Sequence, residues 1–218
     1  MLGVLIHVNL KWQDHVDHVR NKIARSTALL AKLKHYIPKY VLLIIFNSLC
    51  LSHISYALSI WGNSPPSTLK RIVTLQKKGI RHVCNAKYNS HTSALFKKCK
   101  ILTVKDMFRF QCCKLMLRKK RGLINAYHAS KLPIKGDSAN TITRQTFDVV
   151  INAHNNLSKI NSINFKVGTS WNALPYSFKS DVQYKCLSLS TFSNRIKFIL
   201  LSQYEVDCTT QNCFVCKN

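Results

Sequence analysis

Four groups of residues have types and spacings that could do chemistry. The first closes the sequence: Cys213-Phe214-Val215-Cys216, with Cys208 a little earlier. Two cysteines separated by two residues are how small zinc sites begin, and a tetrahedral site on Cys208, Cys213 and Cys216 would need a fourth ligand, from Cys186 or a histidine. The plainer reading is a thiol-bearing end without metal. The second group is His15 and His18, one helical turn apart, with His7 nearby. No acid or thiol completes that set, which argues against a metal there. The third is a row of cations, Lys70, Arg71, Lys77, Lys78 and Arg81. At about 100° per residue these share one side of a helix. No acid on that face pairs them, and like charges so close are unfavourable unless an anion meets them. Phosphate is the anion that fits; a solvated helix face is the alternative. The fourth is Arg118-Lys119-Lys120-Arg121, either a nucleic-acid or nuclear-import patch or the basic last turn that a helix dipole welcomes.

Catalytic constellations are harder to find. Lys and Arg number 33 against 8 Asp and Glu, giving a formal net charge of +25. The acids are dispersed, and no two aspartates are adjacent. Two-metal phosphoryl transfer needs closely placed carboxylates, so it finds no seat here. Neither a Ser-His-Asp nor a Cys-His order stands out. A charge of this size opposes compaction unless a polyanion offsets it, which makes nucleic acid the expected partner. The count of nine cysteines is odd, and no secretory leader pattern opens the sequence. Together these imply a reducing, intracellular setting, nuclear or cytoplasmic rather than secreted, without a disulfide framework.

The elements that must position these groups read as mainly α. Apolar residues make up 46% of the chain, with 6 Gly and 5 Pro, so long regular elements are favoured over a loop-rich all-β design. Leu2 to Ile6 is a short β-compatible run; a chain opening inside a strand suggests a piece of something longer. From Gln13 the period becomes helical, with Val16, Val19, Ile23, Thr27, Leu30 and Leu33 on one stripe that ends near Pro38. A second helix is expected from Lys39 to Trp61. Within it, residues 41–62 carry no formal charge and are long enough to span a bilayer. Asn47, Ser48, Ser52, His53, Ser55 and Ser59 recur at helical spacing, so a buried bundle helix is preferred to a membrane span. Pro65 and Pro66 open the third helix, which carries the cationic row opposite Ile72, Gln76, Ile80 and Val83. A short helix follows over Thr92–Lys98, a longer one over Val104–Arg121 with Gly122 as a C-cap, and a last one over Leu189–Gln203. A strand is possible within Asn140–Ile151, and loop is expected over 152–164. Trp12 and Trp171 could stack on bases, but their apolar neighbours favour packing.

Five blocks, in order, carry a resemblance. They are Leu2-Gly3-Val4 with Leu10 to Val16; Ser52-His53, Tyr56 and Ile60-Trp61-Gly62; Leu75 to Arg81; His91-Thr92, Leu95-Phe96 and Ile101-Leu102; and Trp171-Asn172-Ala173-Leu174-Pro175 with Phe192. Together they resemble the C-terminal third of the reverse transcriptase of Jockey-like non-LTR retrotransposons, or LINE elements. His7 departs from the pattern, standing where that family usually has an acid, and residues 125–165 match poorly. The resemblance implies a mainly α, thumb-like bundle with a short N-terminal strand and a mixed, partly irregular C-terminal region. It divides the chain into 1–12 as the last palm strand, 13–122 as thumb, 123–203 as C-terminal region and 204–218 as a cysteine-containing tail. It further implies RNA and DNA as partners, alongside palm and endonuclease domains of a parent polyprotein. The divalent metal of the full polymerase would belong to that palm, so no cofactor is expected in this part apart from zinc at the tail. The implied role is to hold template and primer without joining nucleotides. The competing reading is a basic helical structural or membrane-associated protein built on 41–62.

Overall fold

The computed structural model describes residues 3–9, 11–137, 143–151, 162–184 and 187–204. These are mainly helical and form no sheet. The tail cysteines Cys208, Cys213 and Cys216, with Cys186, lie outside the described residues. The helices are α1 (Gln13–Leu33), α2 (Lys39–Ile45), α3 (Ser52–Ser55), α4 (Leu58–Trp61), α5 (Pro66–Val83), α6 (Ser93–Lys98), α7 (Val104–Lys120), α8 (Ala126–Ser130), α9 (Ile163–Asn172), α10 (Tyr176–Tyr184) and α11 (Leu189–Ser202). The chain parts into two compact units, Met1–Met107 with Leu200–Asn218, and Phe108–Ile199.

The first unit is built around α1 and α5. The apolar stripe of α1 is buried as its spacing predicts, at Val16, Val19, Ile23, Thr27 and Leu30. So is that of α5, at Ile72, Gln76, Gly79, Ile80 and Val83, with Pro66 in its first turn. The two helices run in the same general direction, because Gln13 meets Thr68 at 3.2 Å and Asp17 meets Arg71 at 3.8 Å.

The single helix expected over Lys39–Trp61 is broken. After α2 the backbone widens into a π-helical turn, Phe46–Leu51. Between α3 and α4, Ala57 takes a left-handed conformation (φ 49°). The carbonyl of Tyr56 loses a helical partner there and accepts instead from the Trp61 indole at 2.8 Å. Leu42, Phe46, Cys50, Ile54, Leu58 and Trp61 are all buried, so the segment lies in the core of this unit. Among the described residues no helix is long and apolar enough to cross a membrane. The described residues of the expected N-terminal strand, 3–7, hold no regular element.

Two loops of this unit are fixed by polar side chains. Gln76, fully buried, donates to the Leu102 carbonyl at 2.9 Å and accepts from the Val104 amide at 3.0 Å. Thr103 and Asp106 close the start of α7 as a reciprocal cap, with Thr103 Oγ1 donating to Asp106 at 2.8 Å and accepting from its amide at 3.3 Å. The Tyr204 hydroxyl donates to the same carboxylate at 2.5 Å and accepts from the Thr103 amide at 3.0 Å, which ties residue 204 to this turn.

The second unit packs α9, α10 and the body of α11 with the remainder of α7 around Cys113, Val167, Trp171, Phe178, Phe192 and Ile196. Helices α9 and α10 flank Ala173-Leu174-Pro175, the end of the block that begins at Trp171. Ser162 caps α9 by accepting from the Phe165 amide at 3.3 Å. Of the possible strand within Asn140–Ile151, the described residues 143–151 carry one antiparallel bridge, Ile134 to Val149. Val149 finds its other partner in a side chain: Asn172 accepts from its amide at 2.8 Å and donates to its carbonyl at 3.0 Å, as a neighbouring strand would. Trp171 is 4% exposed and donates to the Phe147 carbonyl at 2.8 Å, so it is a packing anchor. Lys179, also buried, meets Asp148 at 2.5 Å.

Candidate nucleic-acid interface

The cationic row of α5 lies opposite its buried stripe, and α1 doubles it. Toward the start of α5, Lys70, Arg71 and Thr74 line an open groove of about 470 Å³ with Arg20 and Asn21 of α1. One turn or more further on, Lys78, Arg81 and His82 line a second cleft of about 270 Å³ with Lys34, just past α1, and with Ala86 and Tyr88. Cations from two helices therefore share the α1–α5 seam. Lys77 sits at the edge of the row and lines neither groove.

The charges are not all unmet. Asp17 of α1 lies 3.5 Å from Arg20 and 3.8 Å from Arg71, so it supplies the acid that α5 itself lacks. At these exposures such pairs contribute little. Arg81 donates through Nε to the Ser90 carbonyl at 2.9 Å, which fixes the direction of its guanidinium. Burial, with Lys34, Lys78 and Arg81 close by, holds the His82 imidazole below its ordinary pKa. Tyr88 stands 74% exposed at the rim of this cleft. An exposed ring beside a cationic cleft is the arrangement that stacks a base while its phosphate is held.

In the basic run that ends α7, three of the four side chains meet backbone carbonyls. Lys119 donates to the Leu132 carbonyl at 2.6 Å, and Arg121 to that of Leu187 at 2.5 Å; Lys120 donates to the Gln183 carbonyl. Arg118 is exposed. Gly122 is the left-handed C-cap (φ 66°), with the Leu123 and Gly122 amides donating back to Arg118 and Lys119.

His15 is buried and its ring meets Trp61 edge-on at 5.6 Å, while its Nδ1 accepts from the Leu5 amide at 3.3 Å. It is a packing residue. Among the described residues no group of three or more His, Cys, Asp or Glu is placed to hold a metal. Arg20, Lys34, His82 and Tyr88 line these grooves although the sequence did not single them out. The only signal for the first two is position along α1, which acquires meaning once α1 is laid beside α5. Comparison with protein-family models, with curated proteins and with solved structures returns no match.

Proposed function

We propose that this chain is a nucleic-acid-gripping module, the thumb and C-terminal part of a Jockey-like non-LTR retrotransposon RNA-directed DNA polymerase. In this reading it holds template and primer by their phosphates, and the palm of a parent polyprotein joins the nucleotides. It acts inside the cell, in the nucleus or cytoplasm, where its RNA and DNA partners are.

The observation that carries the reading is the α1–α5 seam, where Arg20, Lys34, Lys70, Arg71, Lys78 and Arg81 line two grooves on the outer side of α5. Contacts of this kind position a duplex or strand without reading its sequence. The net charge of +25 and the five ordered sequence blocks support it.

The test is a K70Q/R71Q/K78Q/R81Q variant of the full chain, checked for native circular dichroism. Its binding to single-stranded RNA and to an RNA–DNA duplex is measured by fluorescence anisotropy between about 50 and 200 mM salt. The expected result is a loss of affinity of about tenfold or more, with the slope of log K against log salt reduced by about one for each phosphate contact removed. Equal losses on unrelated sequences are expected, because phosphate contacts carry no sequence information. An unchanged affinity and slope in a folded variant would reject the seam as the interface.

A further inference from the structure

Cys84 and Cys99 are two of the six cysteines scattered ahead of the tail, fifteen residues apart. The fold brings them together. Cys84 caps the C-terminal end of α5, and Cys99 caps that of α6. Both helices end in the same way. A left-handed residue follows each cysteine, Asn85 (φ 48°) and Lys100 (φ 53°). The next amide then turns back to the helix, Ala86 to the Arg81 carbonyl at 2.9 Å and Ile101 to the Phe96 carbonyl at 3.0 Å. Two matching stops set the two sulfurs 3.3 Å apart, and both are free thiols that remain partly exposed. Cys50, Cys112 and Cys113 are, by contrast, buried, and burial holds their thiols well above the ordinary range.

We propose that Cys84 and Cys99 are a reversible redox pair, a modification site that hydroperoxides oxidise to an intramolecular disulfide. The geometry supplies a resolving thiol in contact with the attacking one. The electrostatics favour Cys99 as the nucleophile: the hydrogen bond it shares with Cys84 lowers its thiol, and Lys39 and Lys98 add to this against the opposing effect of burial. Cys84, hydrogen-bonded to that thiolate and half-buried, is pushed up and keeps its proton.

The chemistry balances in two steps. The Cys99 thiolate attacks one peroxide oxygen, forming an S–O bond as the O–O bond breaks, and gives a sulfenic acid and hydroxide. The Cys84 sulfur then attacks the Cys99 sulfur, forming the S–S bond and breaking S–O. Its thiol proton leaves with the departing hydroxide as water. Two thiols are oxidised by two electrons, one peroxide is reduced, and an external dithiol reverses the reaction by exchange. The link closes residues 85–98, which carry Tyr88 to the rim of the cationic cleft and Ser90 to Arg81.

The test uses the full chain with Cys208, Cys213 and Cys216 replaced by serine, so that the tail thiols cannot answer for the pair. The protein is treated with hydrogen peroxide under native conditions, alkylated, digested and mapped by mass spectrometry. The expected product is a crosslinked peptide pair containing Cys84 and Cys99, with the free-thiol count lower by about two per chain and restored by dithiothreitol. C84S and C99S, each in that background, should lose the link. C84S should carry a trappable sulfenic acid at Cys99, whereas C99S should show none at Cys84. Separate alkylation of both cysteines after peroxide treatment of the folded parent would overturn the proposal, as would a crosslink that forms equally well after unfolding in urea.

Discussion

His82 is the residue through which the charge of the seam can be read. Burial first, then Lys34, Lys78 and Arg81, push its pKa below the ordinary value of 6.5, because each disfavours the imidazolium. A phosphate seated among those three cations offsets their repulsion and favours the charged ring. The bound form therefore holds the proton more tightly than the free form, and by linkage the anion binds more tightly as the pH falls through the titration. The expected outcome is an upward shift of the His82 ring resonances' midpoint on adding a short oligonucleotide, followed by NMR across about pH 5 to 8. His15 titrates away from this cleft, held down by burial, with His18 and Lys22 as its charged neighbours, so its midpoint should stay where it is. A His82 midpoint that ignores saturating oligonucleotide would place the ligand elsewhere.

At the scale of elements, α5 depends on a close approach that only glycine permits. A Cβ added at Gly79 would lie 2.5 Å from Phe46 Cε2, and Phe46 is fully buried in the π-helical turn, with little room to yield. Gly79→Ala is therefore expected to destabilise the chain by about 1–3 kcal/mol despite alanine's better helix propensity. Urea unfolding checks it: a midpoint equal to or above that of the parent would mean that the turn repacks freely. The cationic row and buried stripe of α5 follow from a 3.6-residue period, and both α1 and α5 lie where that period puts them. The break in the second helix does not follow, because nothing in Tyr56-Ala57 demands a left-handed alanine; the Trp61 indole meets the Tyr56 carbonyl only once the chain has turned there. Helices α9 and α10 escaped for a related reason. Asn172 serves as the partner of Val149 and Lys179 is buried on Asp148, pairings across 23 and 31 residues that no local period encodes. Arg20 and Lys34 were visible as cations but not as neighbours of α5.

For the molecule as a whole, 33 cations against 8 acids leave a surplus of positive charge that local pairing cannot remove. Asp17, Asp148 and Asp181 each meet a cation in the described residues, and the seam still gathers Lys34, Lys70, Lys78 and Arg81 along two helices. A surface selected for stability alone would disperse such charges, so a seam that binds polyanion carries a penalty in the free protein. That penalty has a measurable sign. Lys70 and Lys78 lie on the outer side of α5 away from its buried stripe, and replacing them with glutamine removes repulsion without opening a cavity. In about 10 mM salt, K70Q/K78Q is expected to melt about 1–3 °C above the parent. The gap should close near 0.5 M salt, where screening acts over about 4–5 Å. Added oligonucleotide should reverse the order, since it stabilises the parent by mass action and the variant less. A variant that melts below the parent at every salt concentration would show instead that these lysines serve packing or local pairing, and that the positive seam is a consequence of the fold without a ligand to hold.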